Sequence, residues 1–519
     1  MTMRSILILP LFSLLINAQD SGKLPIAWGF GTSAYQIEGA WNVDGKSPSI
    51  WDAWYNDPSR QDKPNAFVAN DHYHRMKEDI GYLGQLGATA YRFSVAWSRI
   101  LPDCSGKVNE AGVKFYSDMI DEIIRNGAMP ILTMYHWDIP QSCHDQYQSW
   151  MNRKVIDDFT NYADVLFQNY GDRVQYFLTL NEPSAQCGFG YAQKFWPPGL
   201  GLTESARYVC QHHANLAHGS AVQLARQKYS NRNFKFGMPL IATWGVPLSS
   251  SKADLDAQDR FMTFQTKWNW GPLIDGDYPA IMKSDRVIGK YLPKYTIKDM
   301  AIMKGTIDFI AINYYSASYV QNRPGAEGNY STTWTKDGVA IGPVSGTDWQ
   351  AVYTPGIRGI LQWLHKTFNM EIMVSECGTS VRNESKMSLL QVVRDTFRVN
   401  FFEGITKHLY DAISIDKLPV TSFIAWSLVD NFEWNTYDQR FGVIAINRTS
   451  LNLTRTIKDS ALFLNNYFTQ NTKSPFKNTL GSASGPTIGS NGGSQTNSDI
   501  FHFNWNYIIT IIYLNLLII

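Results

Sequence analysis

Two glutamates stand at the ends of apolar runs. Glu182 closes "YFLTLNEP" (176–183) and Glu376 closes "IMVSECG" (372–378). A carboxylate delivered to the tip of a hydrophobic segment is costly to bury. Two of them suit a reaction that needs one acid and one base or nucleophile. Glycoside hydrolysis is such a reaction: one carboxylic acid protonates the leaving oxygen while the other carboxylate attacks the anomeric carbon or activates water. Other run ends are also polar or aromatic. Gln36 and Glu38 follow the first run, Arg92 lies in the second, His136 and Trp137 end the third, and Asn181 precedes Glu182. Asn313 and Tyr315 end the sixth run, and Trp426, Glu433 and Trp434 lie at and after the eighth. Each alone could be a satisfied structural residue; it is their convergence that points to a site. Metal-assisted hydrolysis is the competing chemistry, but no His-x-His or comparable cluster occurs at these ends, so no metal or other cofactor is expected.

The elements that must position these groups follow from periodicity. Apolar runs at 28–34, 90–98, 129–137, 176–183, 234–242, 309–315, 372–378 and 423–431 alternate with amphipathic helical patterns. In those patterns Met76, Ile80 and Leu83 share one face, as do Tyr116, Ile120 and Ile123 before Gly127, and Val155, Phe159, Tyr162 and Leu166 before Gly171. Near-continuous apolar strands alternating with helices predict a parallel sheet covered by helices, and eight such units close into a single (β/α)8 TIM barrel. The runs recur every 40 to 70 residues or so, more than a minimal βα unit needs, so long βα loops are expected at the face where barrel chemistry sits.

The chain has 519 residues, is 44% hydrophobic and 18% charged, and carries a net charge of +1, which gives no electrostatic argument for nucleic acid. Its 17 Trp, 27 Tyr and 27 Phe would stack on sugar faces, but they are also ordinary core material. Residues 1–18, with Arg4, an apolar run from Ile6 to Ile16 and a small residue at Ala18, read as a signal peptide. The chain is therefore expected in the secretory pathway, where its five cysteines, Cys104, Cys143, Cys187, Cys210 and Cys377, can form up to two disulfides of unspecified pairing. Sequons at Asn329, Asn383, Asn447 and Asn452 agree with that route. The barrel is expected over 19–472, followed by a Gly/Ser-rich linker over 473–500 and a hydrophobic tail over 501–519. Small residues at Ser490 to Gly493, a polar spacer and a terminal apolar tail form the pattern of a GPI-anchor signal, with a tail-anchored helix as its rival. A cell-surface location follows from the first reading. Oligomeric state is not encoded in any of these features.

The motifs stand in a recognisable order: "GTSAYQIEGAWNVDGKSPSIWD", "YRFSVAWSRILP", "YHWDIPQ", "TLNEP", "DFIAINYY", "SECG" and "AWSLVDNFEWNTYDQRFGV". Over about residues 25–470 the chain resembles glycoside hydrolase family 1, which includes β-glucosidases, lactase-like enzymes, myrosinases and klotho proteins. The resemblance implies a retaining β-glycosidase acting on a small β-O-glycoside, with Glu182 as acid/base and Glu376 as nucleophile. It implies that Gln36, His136, Asn181, Glu433 and Trp434 hold the glycone hydroxyls and that Trp426 is the sugar platform. Arg92 and Tyr315 are implied as partners of the nucleophile, and Asn313 as a supporting polar residue. A carboxylate at Glu433 would repel a phosphate, so the expected sugar is unphosphorylated. Myrosinases resemble "NQP" at the acid/base position, where this chain keeps "NEP"; a klotho-like binding module would lack one or both carboxylates. One residue departs from the family pattern: Cys377 stands where Asn is common.

Overall fold

The computed structural model describes residues 24–472. The expected signal peptide, the linker over 473–500 and the tail lie outside the described residues. Nine parallel-paired strands form the central sheet: β1 (Ala27–Gly31), β2 (Ala90–Ser94), β3 (Met129–Tyr135), β4 (Tyr176–Leu180), β5 (Lys235–Gly237), β6 (Pro239–Ile241), β7 (Ile310–Tyr314), β8 (Ile372–Cys377) and β9 (Val420–Trp426). Their order is β5-β4-β3-β2-β1-β9-β8-β7-β6. The two edge strands, β5 and β6, are consecutive in the chain and separated by Met238 alone. The backbone therefore leaves β4 and joins β7 within one residue, which closes the sheet into the (β/α)8 barrel. The single run expected over 234–242 is these two half-strands. The runs at 28–34 and 423–431 overshoot β1 and β9: Gln36 follows β1 in the short helix Ala34–Ile37, which Glu38 caps, while Trp426 is the last residue of β9 and Glu433 and Trp434 lie in the loop beyond it.

The amphipathic patterns form the helices His72–Gln85, Glu110–Arg125 and Lys154–Tyr170, each burying the predicted face. The last stops at Gly171, where a Cβ would lie 2.5 Å from the Phe234 ring. Outward-facing residues pack under these and other helices: Trp28 stacks on Phe468 of the helix Asp459–Asn471 at 5.5 Å. Burying one such ring contributes about 2–3 kcal/mol.

Inside the barrel, Ala27, Ala90, Ile131, Leu178, Ala311, Met373 and Ile424, together with Phe309, form an apolar floor. Above it come Arg92, Thr133, Asn313 and Ser375, all fully buried, and above them the ends of the strands. The expected long loops are present; between them they supply a small sheet of Trp244–Pro247, Ala317–Asn322 and Tyr330–Thr333. Disulfides join Cys104 to Cys143 and Cys187 to Cys210, leaving Cys377 as a buried thiol. Among the described residues no helix is long and apolar enough to cross a membrane.

Candidate active site

Strict alternation along β8 would turn Glu376 away from the barrel axis, because Met373 belongs to the floor. A bulge prevents this. Val374 pairs with Ile312 of β7, but Glu376 pairs with the very next residue, Asn313. The extra residue, Ser375, donates to Asn313 Oδ1 at 2.7 Å, and Glu376 is re-aimed inward, a recurrent use of bulges at functional sites. There Arg92 Nη1 donates to one carboxylate oxygen, and Tyr315 Oη donates to the other at 2.6 Å. Cys377, next along, falls opposite Tyr314 in the packing outside the barrel. Gly378 lets the chain pass the Trp426 carbonyl, which a Cβ would meet at 1.9 Å.

Glu182 sits just past β4 with a φ of 43°, an uncommon conformation for a non-glycine residue. Its amide is tied to Pro239 O at 2.8 Å, and its Oε1 accepts from Asn313 Nδ2 at 2.7 Å. Burial, and next the charge of Glu376, holds its carboxyl well above the usual range. Asn181 links the two halves of the site. Its Oδ1 accepts from Arg92 at 2.7 Å and from Asn313 at 3.0 Å, while its Nδ2 donates to His136 Nε2 at 2.9 Å. Since His136 Nε2 accepts, Nδ1 carries the proton; burial and then the Arg92 charge keep the ring neutral. That Nδ1–H has no partner within the protein, although the residue is only 3% exposed and lines the cavity.

These side chains line a cavity of about 520 Å3. Trp426 and Trp434 form parts of its wall, each near His136, with ring centroids at 6.0 and 5.6 Å. Glu433, beyond β9, accepts from Gln36 at 3.1 Å; burial and then the Glu376 charge push its carboxyl up to about 8. Gln36 lines the cavity, yet its amide already donates to Asn431, Phe432 and Glu433 and accepts from Ser33. Glu38 does not join the set. It turns away to Arg99 at 3.1 Å and Tyr116 at 2.6 Å.

Comparison with known proteins gives the lineage. The profile described as "Glycosyl hydrolase family 1" matches residues 23–473. The chain belongs to glycosyl hydrolase family 1. Within this family it is 37% identical to beta-glucosidase 1B of Phanerodontia chrysosporium, over 87% of each chain. It is 39% identical to beta-glucosidase 13 of Arabidopsis thaliana, over 81% of this chain and 87% of that one. Among solved structures, the beta-glucosidase from Trichoderma harzianum matches with a TM-score of 0.83 at 34% identity, covering 87% of this chain and 98% of that one. A rice β-glucosidase mutant in a covalent complex with glucose matches with a TM-score of 0.82 at 33% identity, with the same coverage.

In this family 1 chain the outer part of the cavity comes from residues that the strand-end reading missed. Phe189, Phe195 and Trp349 are 41%, 69% and 49% exposed, and Trp196 and Phe441 complete an aromatic rim. They lie in the long segments that follow the strands, Phe189 in the short helix Cys187–Ala192 and the others in loops, where no periodicity marks them; only Phe441 falls within a quoted motif. No Lys or Arg occurs among the residues lining the cavity.

Proposed function

We propose that this chain hydrolyses unphosphorylated β-O-glycosides, β-glucosides above all, with retention of configuration through a covalent glycosyl-enzyme. One observation carries the reading: two carboxyl groups in one cavity have opposite surroundings. Glu376 is held by a guanidinium and a phenol hydroxyl, partners suited to a carboxylate. Glu182, buried beside that charge, favours its protonated form. In the first step Glu376 attacks the anomeric carbon while Glu182 gives its proton to the departing oxygen. Ester formation removes the Glu376 charge, so Glu182 becomes more acidic and can take a proton from the incoming water. Attack by the resulting hydroxide equivalent restores Glu376. The covalent glucose complex of the rice relative supports an intermediate of this kind.

The glycone would lie at the inner end, with Trp426 as its platform and the free Nδ1–H of His136, the carboxyl of Glu433 and the indole of Trp434 reaching its hydroxyls. Gln36 acts chiefly by orienting Glu433. A phosphate on the sugar would meet carboxyl groups and no lining cation; this argument does not need Glu433 to be ionised. The aromatic rim favours a planar, apolar aglycone over a second sugar, whose hydroxyls would find few partners there. A panel of aryl, alkyl and disaccharide β-glycosides, with product anomers followed by NMR, tests the reading. An α-anomer as first product overturns retention. Sugar binding with no turnover of any β-glycoside would favour a klotho-like module.

The same reading extends to location. Two disulfides and four exposed sequon asparagines support passage through an oxidising, glycosylating compartment. With the terminal pattern of the sequence, this favours a GPI-anchored protein at the cell surface. Phosphatidylinositol-specific phospholipase should then release it from expressing cells; retention, with the tail still attached by mass spectrometry, would favour a spanning segment.

A further inference from the structure

Against Tyr35 and Asp138, which adjoin Trp434 and Trp137 of the cavity wall, lies a second, much smaller void. It has about 10 Å3 of space for the centre of a water molecule and is lined in part by Tyr35, Asp52 and Asp138. Each of these three residues has one oxygen out of reach of bulk solvent and without a well-formed hydrogen bond in the protein: Asp52 Oδ1, Asp138 Oδ2 and Tyr35 Oη, which the Ala66 backbone approaches only in poor geometry. The residues are 7%, 1% and 2% exposed. The other Asp52 oxygen is saturated, accepting from Lys46 Nζ at 2.6 Å and from Ser49 N and Oγ, each at 2.8 Å. The other Asp138 oxygen is approached by the His136 amide at 3.4 Å. Polar atoms left unpaired in the interior are destabilising. A void of this size admits one water, and a buried water typically makes three hydrogen bonds.

We infer that the void is a binding site for one structural water, which donates to Asp52 Oδ1 and Asp138 Oδ2 and accepts from the Tyr35 hydroxyl. All three orphan oxygens then have a partner. Burial and then the Glu38 charge push the Asp138 carboxyl up to about 8, so below that pH it donates to the water instead, and the site still closes. A metal cation fits poorly: the Lys46 ammonium already neutralises Asp52, and three oxygens fall short of the six or more that a hard cation collects.

The water braces three separate segments. Tyr35 lies in the short helix Ala34–Ile37 after β1, Asp52 in the helix Ile50–Asn56 and Asp138 in the loop after β3. Tyr35 stacks on Trp434 at 6.3 Å with an interplanar angle of 9°, and Trp137, next to Asp138, packs on the same indole at 4.3 Å. Tyr35 and Asp138 are thus positioning residues for the wall assigned to the glycone, and the kinetic arm of the test rests on that assignment.

A crystal structure of the native enzyme that resolves ordered water is the direct test. Density for one water within hydrogen-bond distance of the three oxygens is expected. A void in which Asp138 Oδ2 has turned directly onto Asp52 or Tyr35, or a peak with six oxygen ligands at cation distances, overturns the inference whether or not the enzyme is a glycosidase. Tyr35→Phe keeps the ring and removes the hydroxyl. It should lose the water and raise KM for an aryl β-glucoside about threefold or more, with kcat held within about twofold. A variant without the water but with native KM overturns the bracing role.

Discussion

Replacing Glu376 by Ala removes the group proposed to attack the anomeric carbon, so turnover should stop for every β-glycoside, whatever its leaving group. Glu182→Ala should discriminate. Alkyl glucosides need a proton on the departing oxygen and should lose about 10²–10⁴ in kcat, whereas dinitrophenyl glucosides should be cleaved far faster than alkyl ones by the same variant. Equal hydrolysis of an alkyl glucoside by variant and native enzyme would reassign the acid. Asn313 gives a subtler handle. Its amide favours the ionised form of Glu182, so Asn313→Ala should raise that carboxyl further and move the basic limb of the kcat/KM profile to higher pH; a downward move would contradict the assignment. Cys377 is wholly buried, and burial pushes its thiol up. It faces Tyr314 rather than the cavity, so Cys377→Ser should stay within about tenfold in kcat/KM, and alkylation of the native thiol should be slow. Rapid alkylation that inactivates the enzyme and is blocked by bound sugar would show that the thiol reaches the pocket.

Among the elements, the eight strand positions and three of the covering helices are legible as periodicity because each buries a continuous apolar face. The split at Met238 is not, since Gly237, Met238 and Pro239 continue the pattern and the break exists only because the chain changes partners to close the barrel. Nor is the bulge at Ser375, without which alternation points Glu376 the wrong way. The left-handed conformations of Trp137, Glu182 and Trp434 are equally hidden, because nothing in these residue types favours positive φ. Glu38 reads like a site carboxylate until the fold brings Arg99 to it. Arg398 shows how distant elements hold the site. Fully buried on the helix Thr396–Ser414, it donates to Thr379 O at 3.1 Å, just beyond β8, and to Arg440 O at 2.8 Å, next to the rim residue Phe441. A lysine cannot reach both carbonyls while still pairing with Glu384 and Asp395. Arg398→Lys should therefore cost about 2–3 kcal/mol in chemical denaturation and raise KM for aryl substrates; native stability would show that the clamp is dispensable.

For the whole molecule, the same desolvation that tunes the site sets the response to pH. Burial, with the charge of Glu38 on Asp138 and of Glu376 on Glu433, holds both carboxyls at about 8, against ordinary values of 3.8 and 4.5. Between those limits the folded state keeps protons that the unfolded chain releases, so stability falls as pH rises from about 5 to 8, by up to ~1.4 kcal/mol per pH unit for each group. Asp79 and Glu384 behave oppositely. Burial raises them, but His72 and Arg455 on the first, and Arg398 and Lys458 on the second, outweigh it and lower both. Their contribution is lost as pH drops below the ordinary carboxylate range, so the stability maximum should lie near pH 5. Urea midpoints at pH 5, 6.5 and 8 check this, and Glu433→Gln should flatten the decline; a midpoint that rises towards pH 8 would contradict it. The apolar floor of the barrel imposes a different constraint, on traffic. With Ala27, Ala90, Ile131 and Met373 sealing the inner end, the pocket is a cul-de-sac. Whatever enters first must leave last. The freed aglycone has to clear the mouth before water can reach the glycosyl-enzyme, and the sugar departs only after that. Steady-state kinetics should accordingly be ping-pong, with free glucose competing against substrate for the blind end; noncompetitive inhibition by glucose would point to a second exit.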